Sequence, residues 1–392
     1  MARLLGQFMT PDELAHFVAT QISTSDVVID LASGDGSLLR AVGERFSKTK
    51  LFGFDIDQEM VDRANSLPRT LVLKRDGLKA KISPEALSGS LTIVGNPPFL
   101  NNRGGGQKWI STAFPNLIGK KGTDRAEVQF LARALALAKK FDGRVVFVMP
   151  IGFADGDTYR NLRAALTEEF NLLRCVEIIG AAFCETEART VVIVVEPKRG
   201  KVIPTEILEY NVLKRKLKKI RSGILEPGSR LDARYHRAAK MGGVASPIQL
   251  KDIPVSITRG LVSRKEAELL NLSVLHTSHI GKASLRGTIR VRSKLLPTEL
   301  EKHVIARKGD ILLSRTGSRV SWSPILLSEG AAPITDHVFR IRAAKEVQKL
   351  VLNSFRHPSF NEWLSGIAKG VCATVITKRE LMEMPLFAWK ER

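Results

Sequence analysis

Strand-like and helix-like segments alternate through the first half of this 392-residue sequence. Runs rich in valine, isoleucine and leucine predict strands, and amphipathic stretches lie between several of them. The strand-like runs are VVIDLA, LFGFDI, TLVLKRD, LTIVGN, RVVFVMP and TVVIVVE, and the clearest helix is AEVQFLARALALAKKF. Such alternation is typical of a doubly wound, mostly parallel sheet with helices on both faces. The predicted fold class of the first half is therefore α/β.

The composition changes after Glu196. A basic run extends from Lys214 to Arg221, and glycines and prolines follow it. The rest of the chain has short strand candidates between turn residues and helices near its end, which favours a smaller α+β domain. We therefore predict two domains, residues 1–222 and 223–392, a number that the chain length also favours.

The chain is strongly basic, with a formal net charge of +21. Because the sequence has no low-complexity basic tail, the excess charge is expected on folded surfaces, and nucleic acid is the first partner to consider. The three cysteines, Cys175, Cys184 and Cys372, are scattered. Neither a disulfide framework nor a metal site is expected from them.

No apolar run approaches the roughly 20 residues that span a bilayer, and the first residues do not resemble a signal peptide. A cytoplasmic protein without a membrane partner is the expectation.

Three aspartates stand at the ends of three successive predicted strands: Asp30, Asp55 and Asp76. Gly34 and Gly36 follow the first of them, in a spacing that differs from the GxGxxG of dinucleotide sites. In a doubly wound sheet, ligands bind at the carboxyl ends of the strands. An aspartate at one strand end is more often just the start of a turn, yet the three together favour a ligand the size of adenosine.

Each carboxylate suits a different part of such a ligand. Asp30 suits a positively charged group, Asp55 two ribose hydroxyls, and Asp76 an exocyclic amine. Asp57 is predicted to cap the next helix instead. An earlier helix is predicted to have Thr10 as its N-cap and Pro11 at its first position.

The fourth strand ends in Asn96, Pro97, Pro98 and Phe99. The amino group of a base is a poor nucleophile, because its lone pair is delocalised into the ring. The side-chain carbonyl of Asn96 and the backbone carbonyl of Pro97 would accept the amine hydrogens, and rigid prolines would preorganise both acceptors. Phe99 would stack on the base. By itself, the tetrapeptide is equally consistent with a plain turn.

Two further segments are candidates for contact with the nucleic acid that carries this base. Phe183 would cover the other face of the base, or it is a core residue. Arg103 and Lys108, in the glycine-rich stretch NNRGGGQKW, would contact phosphates, or that stretch is only a surface loop.

The three aspartates and the glycine turn resemble the S-adenosylmethionine site of class I methyltransferases. Together with NPPF and the N-terminal GQFMTPDELAHFVA, they resemble the γ-class adenine-N6 DNA methyltransferases, which include Taq I type enzymes and type I modification subunits. The resemblance implies that Asp30 to Gly36 face the methionine part, Asp55 the ribose and Asp76 the adenine. The implied cofactor residues are Phe8, Thr10, Pro11, Asp30, Ala32, Gly34, Gly36, Asp55, Ile56, Asp76, Gly77 and Asn96.

The second half resembles target recognition domains of type I specificity subunits, through SRLDARYH, ITRGLVSRKE, KGDILLSRTGS and GVCATVITKRELMEMPL. Such a domain would hold the duplex through phosphate contacts and read base edges. The implied DNA-contacting residues are Arg290, Arg292, Arg315 and Arg319. Each is individually as consistent with a solvated surface charge.

The expected activity is site-specific transfer of a methyl group from S-adenosylmethionine to N6 of adenine in double-stranded DNA, with base flipping. The enzyme would be an orphan or belong to a restriction-modification system with a cognate endonuclease, as a monomer or homodimer at the prokaryotic nucleoid.

Three alternatives stay open at this point. One is an rRNA base-amine methyltransferase acting on guanine N2 or adenine N6. Another is a protein-glutamine methyltransferase, and the third is a DNA-binding protein whose first half only senses a cofactor. A C5-cytosine enzyme is disfavoured because the sequence has no Pro-Cys pair.

Overall fold

The computed structural model describes residues 9–100, 107–117, 123–180, 189–200, 202–240, 245–284, 286–291, 302–317, 323–367 and 374–387. The chain divides into two compact units, Met1–Ala233 and Arg234–Arg392. The sequence placed the boundary after residue 222. In the described ranges, no helix is both long enough and apolar enough to cross a membrane.

The first unit is built on a nine-stranded sheet with the order β3-β2-β1-β4-β5-β7-β6-β8-β9. Its strands are β1 (Val27–Asp30), β2 (Lys50–Asp55), β3 (Thr70–Lys74), β4 (Leu91–Gly95), β5 (Arg144–Pro150), β6 (Phe170–Ile179), β7 (Thr190–Pro197), β8 (Thr205–Asn211) and β9 (Lys216–Gly223). Its helices are α1 (Asp12–Thr20), α2 (Ser37–Arg45), α3 (Gln58–Asn65), α4 (Gln107–Ala113), α5 (Ala126–Phe141), α6 (Ile151–Asp155) and α7 (Arg160–Glu169).

The strand directions place most carboxyl ends on one side of the sheet. Strands β1 to β5 run parallel to their neighbours in that set, β7 is antiparallel to both β5 and β6, and β6 is parallel to β8. We call the side where β1 to β6 and β8 end the carboxyl rim, and the opposite side the amino rim. Side chains that follow these strands therefore share the carboxyl rim.

The sheet is buried on both faces. In β5, Val145, Phe147 and Met149 pack into the core that α5 helps to cover, whereas Val146 and Val148 pack into the core formed with α1 and α2. Burial on both faces explains the continuous apolar runs that the sequence shows for β1, β4, β5 and β7. The six predicted strands and the predicted helix Ala126–Phe141 are confirmed.

Strand β6 was missing from the predicted strands. Its sequence, FNLLRCVEII, interrupts the apolar pattern with Asn171, Arg174 and Glu177. The structure pairs Arg174 with Glu206 and the buried Glu177 with Arg189, so both charged residues have a partner of opposite charge. These partners are distant in sequence, so no local pattern marks this strand.

The second unit is α+β, as predicted. A five-stranded sheet with the order β11-β18-β14-β16-β12 forms its centre, and three pairs of short strands accompany it. Ile311 and Leu313 of β14 face one apolar core, and Leu312 faces the other.

The strands of the second unit are β10 (Ala245–Gln249), β11 (Val255–Arg259), β12 (Thr288–Arg290), β13 (Ile305–Arg307), β14 (Ile311–Ser314), β15 (Thr316–Gly317), β16 (Ile325–Glu329), β17 (Ala331–Pro333), β18 (Val338–Ala343), β19 (Thr374–Val375) and β20 (Pro385–Phe387). The helices are α8 (Ala233–Lys240), α9 (Arg264–Leu269), α10 (Thr277–Ala283), α11 (Lys345–Arg356), α12 (Pro358–Ile367) and α13 (Lys378–Met382).

Candidate active site at the carboxyl rim

The turn between β1 and α2 requires glycine at two positions. Gly34 has φ +54° and Gly36 has φ +81°, in the left-handed region that a side chain disfavours. Gly36 is also the residue before α2. The turn is held by Asp35, whose Oδ1 accepts hydrogen bonds from the backbone N–H (3.1 Å) and the hydroxyl (2.6 Å) of Ser37. These two hydrogen bonds fix the conformation of the turn at the start of α2.

Asp30 ends β1 and is buried, with 1% of its surface exposed. Its Oδ1 accepts a hydrogen bond of 3.0 Å from the backbone N–H of Ala32. Burial raises the pKa of Asp30 to about 7, the hydrogen bond from Ala32 opposes that rise, and the nearby Asp55 carboxylate adds to it. A cationic ligand group would stabilise the ionised form of this carboxylate.

Asp55 ties the end of β2 to the glycine turn. Its Oδ2 accepts a hydrogen bond of 2.8 Å from the N–H of Gly34, and its Oδ1 accepts one of 2.9 Å from the N–H of Asp57. Each carboxylate oxygen has a second lone pair, so both retain the capacity to accept a ligand hydroxyl. Asp57 caps α3 by accepting from the N–H of Glu59 at 3.0 Å, which confirms its predicted role.

Asp76 follows β3, and its Oδ1 accepts a hydrogen bond of 2.9 Å from the N–H of Leu78. Gly77 lies directly against the chain at the end of β1. A Cβ added there would be 1.6 Å from the carbonyl oxygen of Leu31. The close approach of Gly77 holds the Asp76 turn next to the Asp30 turn.

Two residues that sequence reasoning missed brace the Asp76 turn. The indole Nε1 of Trp109 donates a hydrogen bond of 2.7 Å to the carbonyl of Leu78, and the Arg133 guanidinium lies 5.0 Å from the centre of the Trp109 ring. Arg133 also donates to the carbonyl oxygen of Ala80. Burial lowers the pKa of Arg133 to about 10. No local motif marks either residue, because both act through the tertiary fold.

Asn96 follows β4 and contacts the segment before α1. Its Nδ2 donates a hydrogen bond of 3.0 Å to the hydroxyl of Thr10. This bond assigns the nitrogen end of the amide to Thr10 and turns the oxygen end away from it. Pro97 is buried, whereas Pro98 and Phe99 are partly exposed.

The predicted N-cap role of Thr10 is wrong. Helix α1 begins at Asp12, the residue before it is Pro11, and no side chain caps this end. The Thr10 hydroxyl lies at Asn96 instead, a residue 86 positions away in the sequence. The local signature of a capping threonine was present, but a tertiary contact took the hydroxyl.

A pocket at the carboxyl rim brings together part of the predicted site. Its lining contains five predicted residues, Thr10, Asp30, Ala32, Gly34 and Asn96, together with Met9, Ser33, Asp35, Ser37 and Leu38. Ser33 and Asp35 lie within the range Asp30 to Gly36 that the sequence assigned to the methionine part, whereas Met9, Ser37 and Leu38 were missed. Asp55, Ile56, Asp76 and Gly77 are outside this lining and belong to the neighbouring strand ends.

Three of the predicted DNA-contacting residues lie in the described part of the chain, Lys108 in the first unit and Arg290 and Arg315 in the second. Lys108 is exposed, with its Nζ 5.5 Å from the centre of the Trp109 ring. Arg290 is exposed and 3.9 Å from Glu329, and Arg315 donates to the carbonyl of Asp336 at 3.3 Å. Five predicted residues lie outside the described part of the chain: Phe8, Arg103, Phe183, Arg292 and Arg319.

The doubly wound sheet, with β7 antiparallel between β5 and β6 and an acidic, glycine-rich carboxyl rim, is the fold of class I methyltransferases. Among solved structures, this chain is similar to the type IIG restriction endonuclease BpuSI, with a TM-score of 0.50 and 14% identity over 99% of this chain and 60% of that chain. A model of the N-6 DNA methylase family matches residues 1–227. The chain belongs to this family.

Other solved structures are similar over a smaller share of the chain. A modification subunit of a type I restriction enzyme from Vibrio vulnificus YJ016 has a TM-score of 0.42 and 16% identity, over 58% of this chain and 59% of that chain. A type I methyltransferase subunit from Streptococcus thermophilus has a TM-score of 0.41 and 16% identity, over 62% of this chain and 55% of that chain. This chain thus spans 55–60% of the length of these three proteins. No curated protein matches the sequence.

The contact between Gly77 and Leu31 gives a first testable prediction. Gly77→Ala should lower the melting temperature by several degrees or more, because overpacking against a fixed backbone atom costs about 1–3 kcal/mol or more. Gly223→Ala is the matched control, since a Cβ at Gly223 meets no atom within 4 Å. Thermal unfolding followed by circular dichroism measures both. Equal melting temperatures for the two variants would contradict the close approach.

Proposed function

We propose that this chain is an S-adenosylmethionine-dependent methyltransferase that modifies N6 of adenine in double-stranded DNA. The observation that carries the proposal is the Asn96 amide, held by Thr10 beside the pocket that contains Asp30 and the glycine turn. An acceptor for an amine and a site for an adenosine-like cofactor therefore lie next to each other. Membership of the N-6 DNA methylase family supports the same activity.

The donor set at the carboxyl rim fits S-adenosylmethionine. When bound, this cofactor supplies a methyl group activated by a sulfonium centre. Asp30, buried beside the glycine turn, suits the cationic methionine end, and the two oxygens of Asp55 suit the ribose hydroxyls. Asp76 suits the adenine amine, with Ile56, a 44% exposed apolar side chain after β2, available to the adenine face.

Asn96 and Pro97 prepare the target amine. The side-chain oxygen of Asn96 and the backbone carbonyl of Pro97 accept the two amine hydrogens and draw the nitrogen towards a tetrahedral geometry, which frees its lone pair. Because Thr10 fixes the nitrogen end of the Asn96 amide, that oxygen is oriented before the base arrives, and orienting it costs little in the reaction. The proline pair adds a rigid backbone.

The target adenine has to leave the duplex to reach these acceptors. Phe99, partly exposed directly after the prolines, offers a face on which the extruded base can stack. Phe183 is the residue that we assign to the opposite face.

We assign methyl transfer to the first unit, Met1–Ala233, and target recognition to the second unit, Arg234–Arg392. The net charge of +21 supports binding to a polyanion. Among the residues assigned to DNA, Lys108 and Arg290 are exposed and able to contact phosphates, and Arg315 lies at the end of β14. A cognate restriction endonuclease is the partner that this assignment predicts.

Asn96→Ala should reduce methyl transfer at least about 100-fold, because one oriented hydrogen-bonding group at a reacting centre contributes on that scale. Binding of S-adenosylmethionine should weaken much less than turnover, because Asn96 is only one of the residues that line the pocket. Asn161→Ala, at an exposed position of α7, is the control and should leave both unchanged. Tritium transfer to DNA of mixed sequence measures turnover, and equilibrium dialysis measures cofactor binding.

Single-molecule sequencing of DNA from cells that express the protein or its Asn96→Ala variant then identifies the product. One short motif with N6-methyladenine in the first sample and none in the second is the expected result. Transfer to RNA or protein but not to DNA would overturn the proposed substrate.

Thr10→Val should lower kcat about tenfold, the scale of one hydrogen bond of roughly 1.4 kcal/mol, because the Asn96 amide loses the partner that orients it. Thr10→Ser keeps the hydroxyl and should restore most of the loss. Single-turnover rates at saturating cofactor separate this effect from weaker cofactor binding. Equal single-turnover rates in the valine and serine variants would show that the hydroxyl does not position Asn96.

The affinity for S-adenosylmethionine should rise as the pH increases from about 6 to 8. The pKa of Asp30 is about 7, so the carboxylate becomes ionised over this range, and the ionised form attracts the cationic cofactor more strongly. Asp30→Asn should bind more weakly at pH 8 and should lose most of the pH dependence. Isothermal titration calorimetry at several pH values tests this, and an unchanged pH profile in Asp30→Asn would refute the role of Asp30.

A further inference from the structure

Strand β9 is the last strand of the sheet in the first unit and carries an unusual density of positive charge. Six of the eight residues from Lys214 to Arg221 are basic. The run begins in the turn between β8 and β9 and continues along β9, with Ile220 as its single buried residue. The sequence suggested only a domain boundary near this run, whereas the structure makes it a hairpin of the catalytic sheet.

Four of these basic residues are available to an external anion. Lys219 pairs with Glu206 of β8, so its charge is compensated within the hairpin. Lys214, Arg215, Lys216 and Lys218 are exposed and form no ion pair within the described part of the chain. The opposite strand contributes Glu206, which pairs with Lys219 and Arg174, and Glu209, which lies opposite Lys218 in the strand register. The tip and outer face of the hairpin therefore remain strongly positive.

The strand directions put the hairpin turn at the carboxyl rim. Strand β8 is parallel to β6, and through β7 and β5 it has the same direction as β4. The turn at residues 212–215 therefore lies on the same side of the sheet as Asn96. Five strand spacings separate β4 from β9 in the order of the sheet, which corresponds to about 24 Å at about 4.8 Å for each spacing.

The hairpin also projects beyond the level of Asn96. Following the register from Gly95 through Phe147, Ile193 and Cys175 leads to Ile207 of β8. Asn96 is one residue beyond Gly95 and is therefore level with Leu208, so Asn211, the last residue of β8, is three residues further along, or about 10 Å at about 3.3 Å for each residue. The positive turn therefore stands on the side from which a target base has to approach.

We propose that the hairpin of β8 and β9 is a phosphate-binding arm that holds the duplex backbone at a fixed distance from the flipped adenine. The proposal rests on the proposed function for the identity of the duplex. About 24 Å along a duplex corresponds to about seven base pairs at about 3.4 Å each. The arm contacts the backbone without reading bases, because lysine and arginine bind phosphate regardless of sequence.

Charged side chains on the last strand of a sheet have another explanation. Lysines there prevent two sheets from pairing through their open strands. That role predicts self-association when the charges are removed, with unchanged affinity for DNA. The two explanations therefore differ in what the same variant does.

The test uses the full chain with Lys214, Arg215, Lys216 and Lys218 all replaced by glutamine. Fluorescence anisotropy gives the affinity for a duplex of mixed sequence as the salt concentration is varied. The duplex is about 40 base pairs long, which is roughly four helical turns. Each lost phosphate contact should reduce the magnitude of the slope of log K against log salt by about 0.9, so the expected decrease for four contacts is about 3.6. The single-turnover rate at saturating DNA should be unchanged.

The matched control replaces three lysines and one arginine near the amino rim, Arg45, Lys48, Lys50 and Lys140, by glutamine. These residues are also exposed. The change in net charge is the same, because each variant loses three lysines and one arginine. The control should change the slope by less than about 1, because its charges lie at the opposite rim and outside the proposed contact. An equal decrease in both variants would overturn the arm, since it would show an effect of net charge alone.

Duplex length supplies the second measurement. With duplexes that contain the methylated motif, the affinity difference between the unaltered protein and the hairpin variant should disappear when one flank is shorter than about seven base pairs. A difference that persists on short flanks would overturn the proposed spacing. Self-association of the hairpin variant in sedimentation velocity, with an unchanged salt slope, would overturn the arm in favour of strand protection.

These outcomes are separate from a failure of the proposed function. If the unaltered protein transfers no methyl group to DNA, the proposed activity fails, whatever the salt slopes are. If methyl transfer to DNA is found but the hairpin and control variants have equal slopes, only the arm fails.

Discussion

The two hydrogen bonds that Asp55 accepts hold the candidate site together. One comes from Gly34, in the turn after β1, and the other from Asp57, at the start of α3. A single buried carboxylate thus fixes two neighbouring strand ends relative to each other. It also raises the pKa of Asp30, so the same group that orders the turn adjusts the charge of the pocket. Removing this carboxylate would leave two partly buried backbone N–H groups without this partner, which is unfavourable.

The candidate catalytic segment depends on a second contact over a long distance in sequence. Thr10 and Asn96 lie 86 residues apart, and their hydrogen bond joins the N-terminal segment to the end of β4. The N-terminal segment therefore lines the pocket and positions the amide at the same time. In the proposed function, such a contact would couple cofactor binding to the orientation of the target acceptor, because both use residues of one short stretch.

The carboxyl rim is electrically asymmetric along the sheet. The ends of β1, β2 and β3 carry Asp30, Asp55 and Asp76. The strongly basic run begins in the turn after β8. An acidic end suits a cationic cofactor, and a basic end suits the phosphates of a duplex. The target base would enter between the two, at Asn96 on β4. One sheet thus separates two opposite electrostatic requirements by about five strand spacings of about 4.8 Å.

The sequence alone determined the alternating strands and helices of the first unit, because strands buried on both faces must be apolar throughout and leave a local pattern. It also determined the aspartates at three strand ends and the Asn96 turn, since each directly follows such a strand. Only the tertiary structure decided where the Thr10 hydroxyl binds, how Trp109 and Arg133 brace the Asp76 turn, and that β6 is a strand. The same holds for the start of the basic run, which the strand directions place at the carboxyl rim. These features depend on partners far apart in sequence, and no local pattern records which residues a fold brings together.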